Sequence, residues 1–232
     1  MSEDATKVVT ATTPAPTVDG NPDRRSWTWF LTQNILCYPL IRLCYRFKAY
    51  HVDRVPLTGG CLMVSNHQSF LDPVLIGIAL RRPMAYLARH DLFRNPIFGW
   101  WIRNLHAFPI HQGKGQAGPL KQSVKLLKNG WMLNVFPEGE RTPDGELCEV
   151  QGGVTLVVRR ADVPVVPCVI EGAFDVWPRD KTLPRPWGRI TVRYGEPIDM
   201  SGMSADEIKG RIDAEFKTLM AEARGVVGGR GG

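Results

Sequence analysis

Residues 61–73 read Cys61-Leu62-Met63-Val64-Ser65-Asn66-His67-Gln68-Ser69-Phe70-Leu71-Asp72-Pro73. A short apolar run gives way to a polar block, and Asp then stands directly before Pro. The pattern predicts a strand ending near Ser65, a tight loop carrying His67, and a helix starting near Pro73. Asp suits the cap of such a helix and Pro its first turn. The same alternation continues along the chain. Strand-like apolar runs lie at 84–88, 107–110, 131–136, 163–170 and 189–194, and helix-like segments lie at 73–80, 96–105, 120–128 and 154–160. This predicts an α/β domain whose central, mostly buried mixed sheet is flanked by helices. A last helix opens with the capping box Ser204-Ala205-Asp206-Glu207, and Ile208, Ile212, Phe216 and Leu219 form its apolar stripe.

The rest of the chain bounds the class. It has 232 residues, 44% hydrophobic and 22% charged, which excludes a wholly disordered, collagen-like or multi-span membrane protein. Its five cysteines are odd in number and lack zinc-knuckle spacing. That predicts reduced thiols, with Cys61 and Cys168 in the core, and neither a disulfide framework nor a metal site. Residues 1–25 read as a disordered tail and residues 226–232 as a Gly-rich one, with the folded domain over 50–225. No basic start or early apolar stretch suggests a cleaved secretory signal.

Residues 26–49 differ from both tail and domain. Trp27, Trp29, Phe30, Ile35, Leu36, Tyr38, Leu40, Ile41, Leu43, Tyr45 and Phe47 crowd a run with no charge between Arg25 and Arg42. The run is too short and too polar to span a bilayer, and Pro39 interrupts it. It reads as a short two-helix membrane-docking element, with Arg24, Arg25, Arg42, Arg46 and Lys48 facing anionic lipid. The net charge of +6 fits that partner or a phosphorylated substrate. Nucleic acid is not expected, because no recognition-helix or RNA-binding signature is present.

Two blocks can do chemistry. His67, in its loop, can fold back onto Asp72 at the helix entrance. The carboxylate would then fix the tautomer, leaving the other ring nitrogen to take a proton from a hydroxyl as a general base. The second block, Phe136-Pro137-Glu138-Gly139-Glu140-Arg141-Thr142, follows another buried strand. Charges placed there line the crevice at the carboxyl end of a sheet. Arg141 can fork onto phosphate, Glu138 can hold Arg141 or orient a substrate hydroxyl, and Gly139 allows a sharp turn whose amides are candidates for an oxyanion site. Ser69 is the nearest hydroxyl nucleophile, and a poor candidate. Gly-rich phosphate loops, nucleophile elbows and metal-spaced clusters are missing.

Together the blocks resemble the glycerolipid acyltransferases, above all the bacterial 1-acyl-sn-glycerol-3-phosphate acyltransferases, over residues 50–200. Asn66, His67 and Asp72 match that family's catalytic signature. Phe136–Gly139 match its Phe-Pro-Glu-Gly block, with Arg141 retained and Thr142 where Ser is usual. Arg89, Leu92 and Gly99 match a further block, with Arg for the usual Lys. That block ends in an Arg in the family. Gln112 stands there in this chain, between His111 and Lys114, and Lys114 is the candidate substitute.

The resemblance implies His67 and Asp72 as catalytic residues, with Asn66, Arg89, Lys114, Glu138, Gly139, Arg141 and Thr142 at the substrate. It implies an acyl thioester donor, on CoA or acyl carrier protein, a lysophospholipid acceptor and no cofactor. It also implies a peripheral position on the cytoplasmic face of the cell membrane. Two alternatives stay open: another lysolipid as acceptor, or a non-catalytic lipid-binding protein.

Overall fold

The computed structural model describes residues 30–31, 35, 37–110 and 117–228. The tail over 1–25, most of the aromatic stretch before Tyr38, and His111, Gln112 and Lys114 lie outside the described residues. The elements run α1 (Tyr38–Tyr45), β1 (Lys48–Tyr50), β2 (Cys61–Ser65), α2 (Asp72–Ile78), β3 (Ala85–Arg89), α3 (Pro96–Asn104) and β4 (Ala107–Ile110). They continue with α4 (Ala117–Lys128), β5 (Met132–Val135), α5 (Gly152–Ala161), β6 (Val165–Glu171), α6 (Ala173–Val176), β7 (Thr191–Tyr194) and α7 (Ala205–Gly228).

The strands form one seven-stranded sheet in the order β1-β7-β6-β2-β5-β3-β4. Every neighbouring pair is parallel except β6 with β7. The sheet is therefore mixed, as expected. β2 lies at its centre, between β5 and β6, and all five of its residues are buried. A parallel strand covered on both faces needs the near-continuous apolar run seen in Cys61–Val64.

The period of two in the strands sorts their side chains onto two cores. Leu62, Val64, Leu133, Val165 and Val169 pack with Leu126 of α4, Val157 of α5, and Ile208 and Phe216 of α7. Cys61, Met63, Met132, Val166 and Ile170 pack on the other face with Ile41 and Tyr45 of α1 and Leu75 and Ile76 of α2. The capping box closes as expected: Ser204 N–H donates to Glu207 Oε2 at 2.8 Å, and Glu207 N–H to Ser204 Oγ at 3.3 Å.

Two differences from the sequence reading have local causes. Lys48–Tyr50, left largely in the docking segment, is the edge strand of the sheet, in register with Thr191–Arg193. Three residues are too few for alternation to be visible. Likewise, α1, expected as part of the docking element, packs into the domain. Pro39 stands in its first turn, Ile41 and Tyr45 are buried in the domain, and Leu40 and Leu43 point out.

His106 is a buried liability of this fold. It sits at φ 62° between α3 and β4, packs beside Trp131 with ring centroids 5.2 Å apart, and leaves Nε2 buried without a partner among the described residues. Burial pushes its pKa down to about 4. Its folded value thus lies below the unfolded value of about 6.5. The stability it allows is present above pH 6.5 and is lost as pH falls through 4, by on the order of 3 kcal/mol. His106→Asn, which tolerates the left-handed backbone, is expected to flatten the fall in unfolding free energy between these pH values. Urea titrations at stepped pH read the slope.

Candidate active site

The loops after β2, β5 and β6 meet at the carboxyl end of the sheet, because β2 pairs with both other strands in parallel register. This juxtaposition brings the two sequence blocks together. His67 Nδ1 lies 2.8 Å from Asp72 Oδ2. The same carboxylate oxygen accepts N–H bonds from Gln68 at 2.6 Å and Ser69 at 2.7 Å. Three donors on one oxygen bend the loop back onto the first turn of α2, which is how a pair five residues apart can meet.

Asp72 is fully buried, and its Oδ1 has no partner among the described residues. Burial pushes its pKa above the ordinary value, against the pull of His67, Ser69 and Gln68. The imidazole stacks on Phe136, with centroids 3.9 Å apart and planes at 15°. Its side chain stays 19% exposed, so a substrate can reach the ring.

Several residues expected at the substrate are instead spent on the scaffold. Asn66 is buried. Its Nδ2 donates to the Ile170 carbonyl at 2.9 Å and its Oδ1 accepts from Ile170 N–H at 2.7 Å, extending the pairing of β2 with β6. Glu138 does not hold Arg141. Its Oε2 accepts the His67 N–H at 3.1 Å and its Oε1 the Cys148 N–H at 3.3 Å. Burial pushes its pKa up to about 7.

Thr142 is buried as well. Its N–H donates to the His67 carbonyl at 2.8 Å and its hydroxyl to Asp144 Oδ1 at 2.9 Å. Gly139 makes the expected turn at φ +80°, but its N–H donates to the Phe136 carbonyl and so is not free for an oxyanion. Ser69 is buried, with its Oγ donating to the Trp177 carbonyl at 2.8 Å.

Arg141 differs from these. Its guanidinium lies over the Phe70 ring, 3.4 Å from the centroid, and its Nη1 is buried without a partner among the described residues. A stacked guanidinium with an unused donor is set up for an anion. Arg89 ends β3, next but one to β2 in the sheet, at the same carboxyl end. Lys114 is outside the described residues.

Other participants carried no signal in the sequence. Gln68 is buried and ties the loop to the one after β5 and to the end of β6, donating to the Gly145 carbonyl at 2.9 Å and to Glu171 Oε2 at 3.4 Å. Arg179 reaches the Arg141 carbonyl at 3.4 Å and Glu140 Oε2 at 3.6 Å, adding a second cation at the mouth. Trp177 lies against Phe70, with centroids 5.1 Å apart. A run after β6 with charges and a Trp looks like any exposed loop until the sheet order is known. No group of His, Cys, Asp and Glu that could hold a metal is found among the described residues.

A half-buried imidazole held by a carboxylate, beside a stacked guanidinium, can take a proton from a hydroxyl next to a bound anion. The chain belongs to the acyltransferase family, whose model matches residues 46–171. It is 30% identical over 185 residues to the 1-acyl-sn-glycerol-3-phosphate acyltransferase of Streptococcus pneumoniae, covering 75% of this chain and 67% of that one. It is 26% identical over 173 residues to the Bacillus subtilis enzyme of the same name, covering 74% and 83%. The crystal structure of the 1-acyl-sn-glycerophosphate acyltransferase PlsC from Thermotoga maritima superposes with a TM-score of 0.65 at 25% identity, covering 76% of this chain and 71% of that one.

The two buried carboxylates should respond differently to amidation. In Asp72→Asn the amide oxygen can keep all three donors while the NH2 takes the unpartnered Oδ1 position. Only the charge that stabilises an imidazolium is lost. The fold is expected to melt near wild type while acyl transfer falls about 100-fold or more. Glu138→Gln sets an NH2 against one of two backbone N–H donors, and is expected to cost about 1–3 kcal/mol of stability. Thermal melts followed by circular dichroism, with turnover at matched folded fraction, test the contrast.

Proposed function

We propose that this protein transfers a fatty acyl group from an acyl thioester to the free hydroxyl of a 1-acyl-sn-glycerol-3-phosphate, in phospholipid synthesis. The observation that carries this reading is the His67–Asp72 pair at 2.8 Å, with the Arg141 guanidinium stacked on Phe70 across the same mouth. The names of the relatives above point to the same acceptor.

In this reading the acceptor's hydroxyl lies against the imidazole nitrogen not held by Asp72. His67 removes the proton as the oxygen attacks the thioester carbonyl. Asp72 holds the Nδ1 proton and stabilises the imidazolium. The C–S bond then breaks, the carrier leaves as thiolate, and the imidazolium returns the proton to sulfur. A covalent serine step has no support, since the Ser69 hydroxyl is buried and hydrogen-bonded to Trp177. Arg141 takes the acceptor phosphate through its unused Nη1, with Arg179 adding charge. The reaction needs no cofactor. Its partners are the lysophospholipid, the thioester on CoA or acyl carrier protein, and a membrane surface on the cytoplasmic side.

A second reading keeps the chemistry and changes the acceptor to another lysolipid. It is favoured by Gln112, which occupies the sequence position where the family block ends in an Arg. Labelled acyl-CoA and acyl carrier protein thioesters, offered with a panel of lysolipids and resolved by thin-layer chromatography, separate the two. Lysophosphatidate is expected to be the best acceptor, and transfer to none of the panel would sink the enzyme reading.

His67→Ala is expected to lower turnover about 100- to 10,000-fold. Arg141→Ala is expected to raise KM for phosphate-bearing acceptors about 10- to 100-fold, with little change for a neutral acceptor, as the loss of one charge-assisted hydrogen bond of about 1.5–3 kcal/mol implies.

A further inference from the structure

The antiparallel return from β6 to β7 places a long segment at the catalytic end of the sheet. Thr191 opens β7 in register with Glu171, the last residue of β6, and pairs on its other side with Lys48, the first residue of β1. The segment 177–189 before β7 and helix α1 before β1 therefore share the end that holds His67. Hydrogen bonds join them: Gly188 N–H donates to the Cys44 carbonyl at 3.2 Å and Ile190 N–H to the Tyr45 carbonyl at 3.0 Å.

The segment is built rather than loose. Trp177 Nε1 donates to the Lys181 carbonyl at 3.0 Å and Arg185 N–H to the Val176 carbonyl at 2.8 Å. Its first residue, Trp177, holds the catalytic loop through Ser69 and Phe70.

This ordered segment exposes its largest apolar side chains. Leu183 is 77% and Trp187 75% exposed, beside the helix on which Leu43 is 82% exposed. In sequence they stand among Arg179, Lys181, Arg185 and Arg189, with Asp180 the one acid of the segment, and α1 adds Arg42; Lys181 lies 3.4 Å from Asp180 and Arg179 3.6 Å from Glu140. Outward Trp and Leu on a cation-rich segment suit the headgroup layer of an anionic membrane, where the indole sits at the interface and the cations meet phosphate. A protein partner would have to match those cations one by one, whereas anionic lipid matches them without a fixed pattern.

We propose that the 177–189 segment is a second membrane-contact element, which inserts Leu183 and Trp187 into an anionic lipid surface beside α1. This deepens the membrane reading above and rests on it for the choice of lipid. It also gives that contact a direct line to the site, since the same segment anchors the loop that carries His67.

The experiment uses the full chain and sonicated vesicles of phosphatidylcholine with phosphatidylglycerol, read by sedimentation. Leu183→Glu with Trp187→Glu is expected to lower vesicle partition about 10-fold or more, while transfer to a short-chain, monomeric acceptor stays at the wild-type rate. Leu183→Ser with Trp187→Ser serves as the milder pair, and circular dichroism checks the fold. Leu156→Glu, an exposed apolar position on α5 against the opposite face of the sheet, should bind as wild type.

Equal vesicle binding by wild type and both pairs overturns the segment's role. A drop in transfer to the monomeric acceptor equal to the drop on vesicles, in a folded variant, also overturns it, because the segment would then be acting on the site alone. A change in sedimentation-velocity mass without loss of vesicle binding would show a protein contact instead and overturn the choice of lipid. Wild type that ignores vesicles yet acylates the monomeric acceptor would remove the membrane reading and leave the enzyme reading intact.

Discussion

One carboxylate oxygen, Asp72 Oδ2, organises the catalytic end of this molecule. It draws the His67 imidazole and two successive backbone N–H groups onto itself. Hydrogen bonds to an ionised acceptor are each worth about 1.5–3 kcal/mol. Three of them compete with the several kcal/mol that burying a charge costs. The loop conformation and the buried charge therefore depend on each other. If the loop opened, the carboxylate would lose the donors that make its burial tolerable. If the carboxylate were removed, two buried N–H groups would be left without acceptors. The imidazole is thus oriented by the same interaction that holds the chain in place.

Glu138 repeats this logic from the neighbouring strand. It spans the His67 N–H and the Cys148 N–H with its two oxygens, tying the loop after β2 to the loop after β5. Gln68 ties both to the exit of β6. Gly172, at φ +85° just beyond β6, lets the Arg189 backbone approach so closely that a Cβ would collide with its carbonyl. The return to β7 can therefore run directly behind the site.

The fold was legible because its signals are local. Buried parallel strands require unbroken apolar runs such as Leu62–Val64 and Leu133 with its neighbours, and the capping box at Ser204 declares a helix start. The pairing of His67 with Asp72 was legible too, because the Pro after Asp72 marks a helix entrance. What was not legible is which polar residues face outward. From sequence Asn66, Glu138 and Thr142 are expected at the substrate, yet the side chains of all three satisfy backbone groups. A loop that leaves a buried strand needs polar side chains to cap its own N–H and C=O groups. A ligand site needs the same residue types in the same place. Only coordinates separate the two demands. Arg179 and Trp177 escaped notice for the converse reason: their proximity to Arg141 and Phe70 depends on the order of the strands, which no local pattern encodes.

The division of labour between these polar groups follows from where the site sits. A centre that must accept a fatty chain has apolar surroundings, where each unpaired polar atom costs free energy and water cannot supply the missing partner. Most of the polar residues in the two loops are accordingly matched within the protein. Asp72 Oδ1 and Arg141 Nη1 stand apart, with no partner among the described residues. The imidazole is held at one nitrogen, on a ring that remains partly open. An unmet guanidinium donor and an open imidazole, set among mostly satisfied polar groups, are what a polar head group and a reacting hydroxyl would complete. The cost of leaving them unmet in the free protein is moderated by the Phe70 and Phe136 faces against which they lie. The aromatic residues of the two blocks thus keep the reactive groups in position at the mouth of the site.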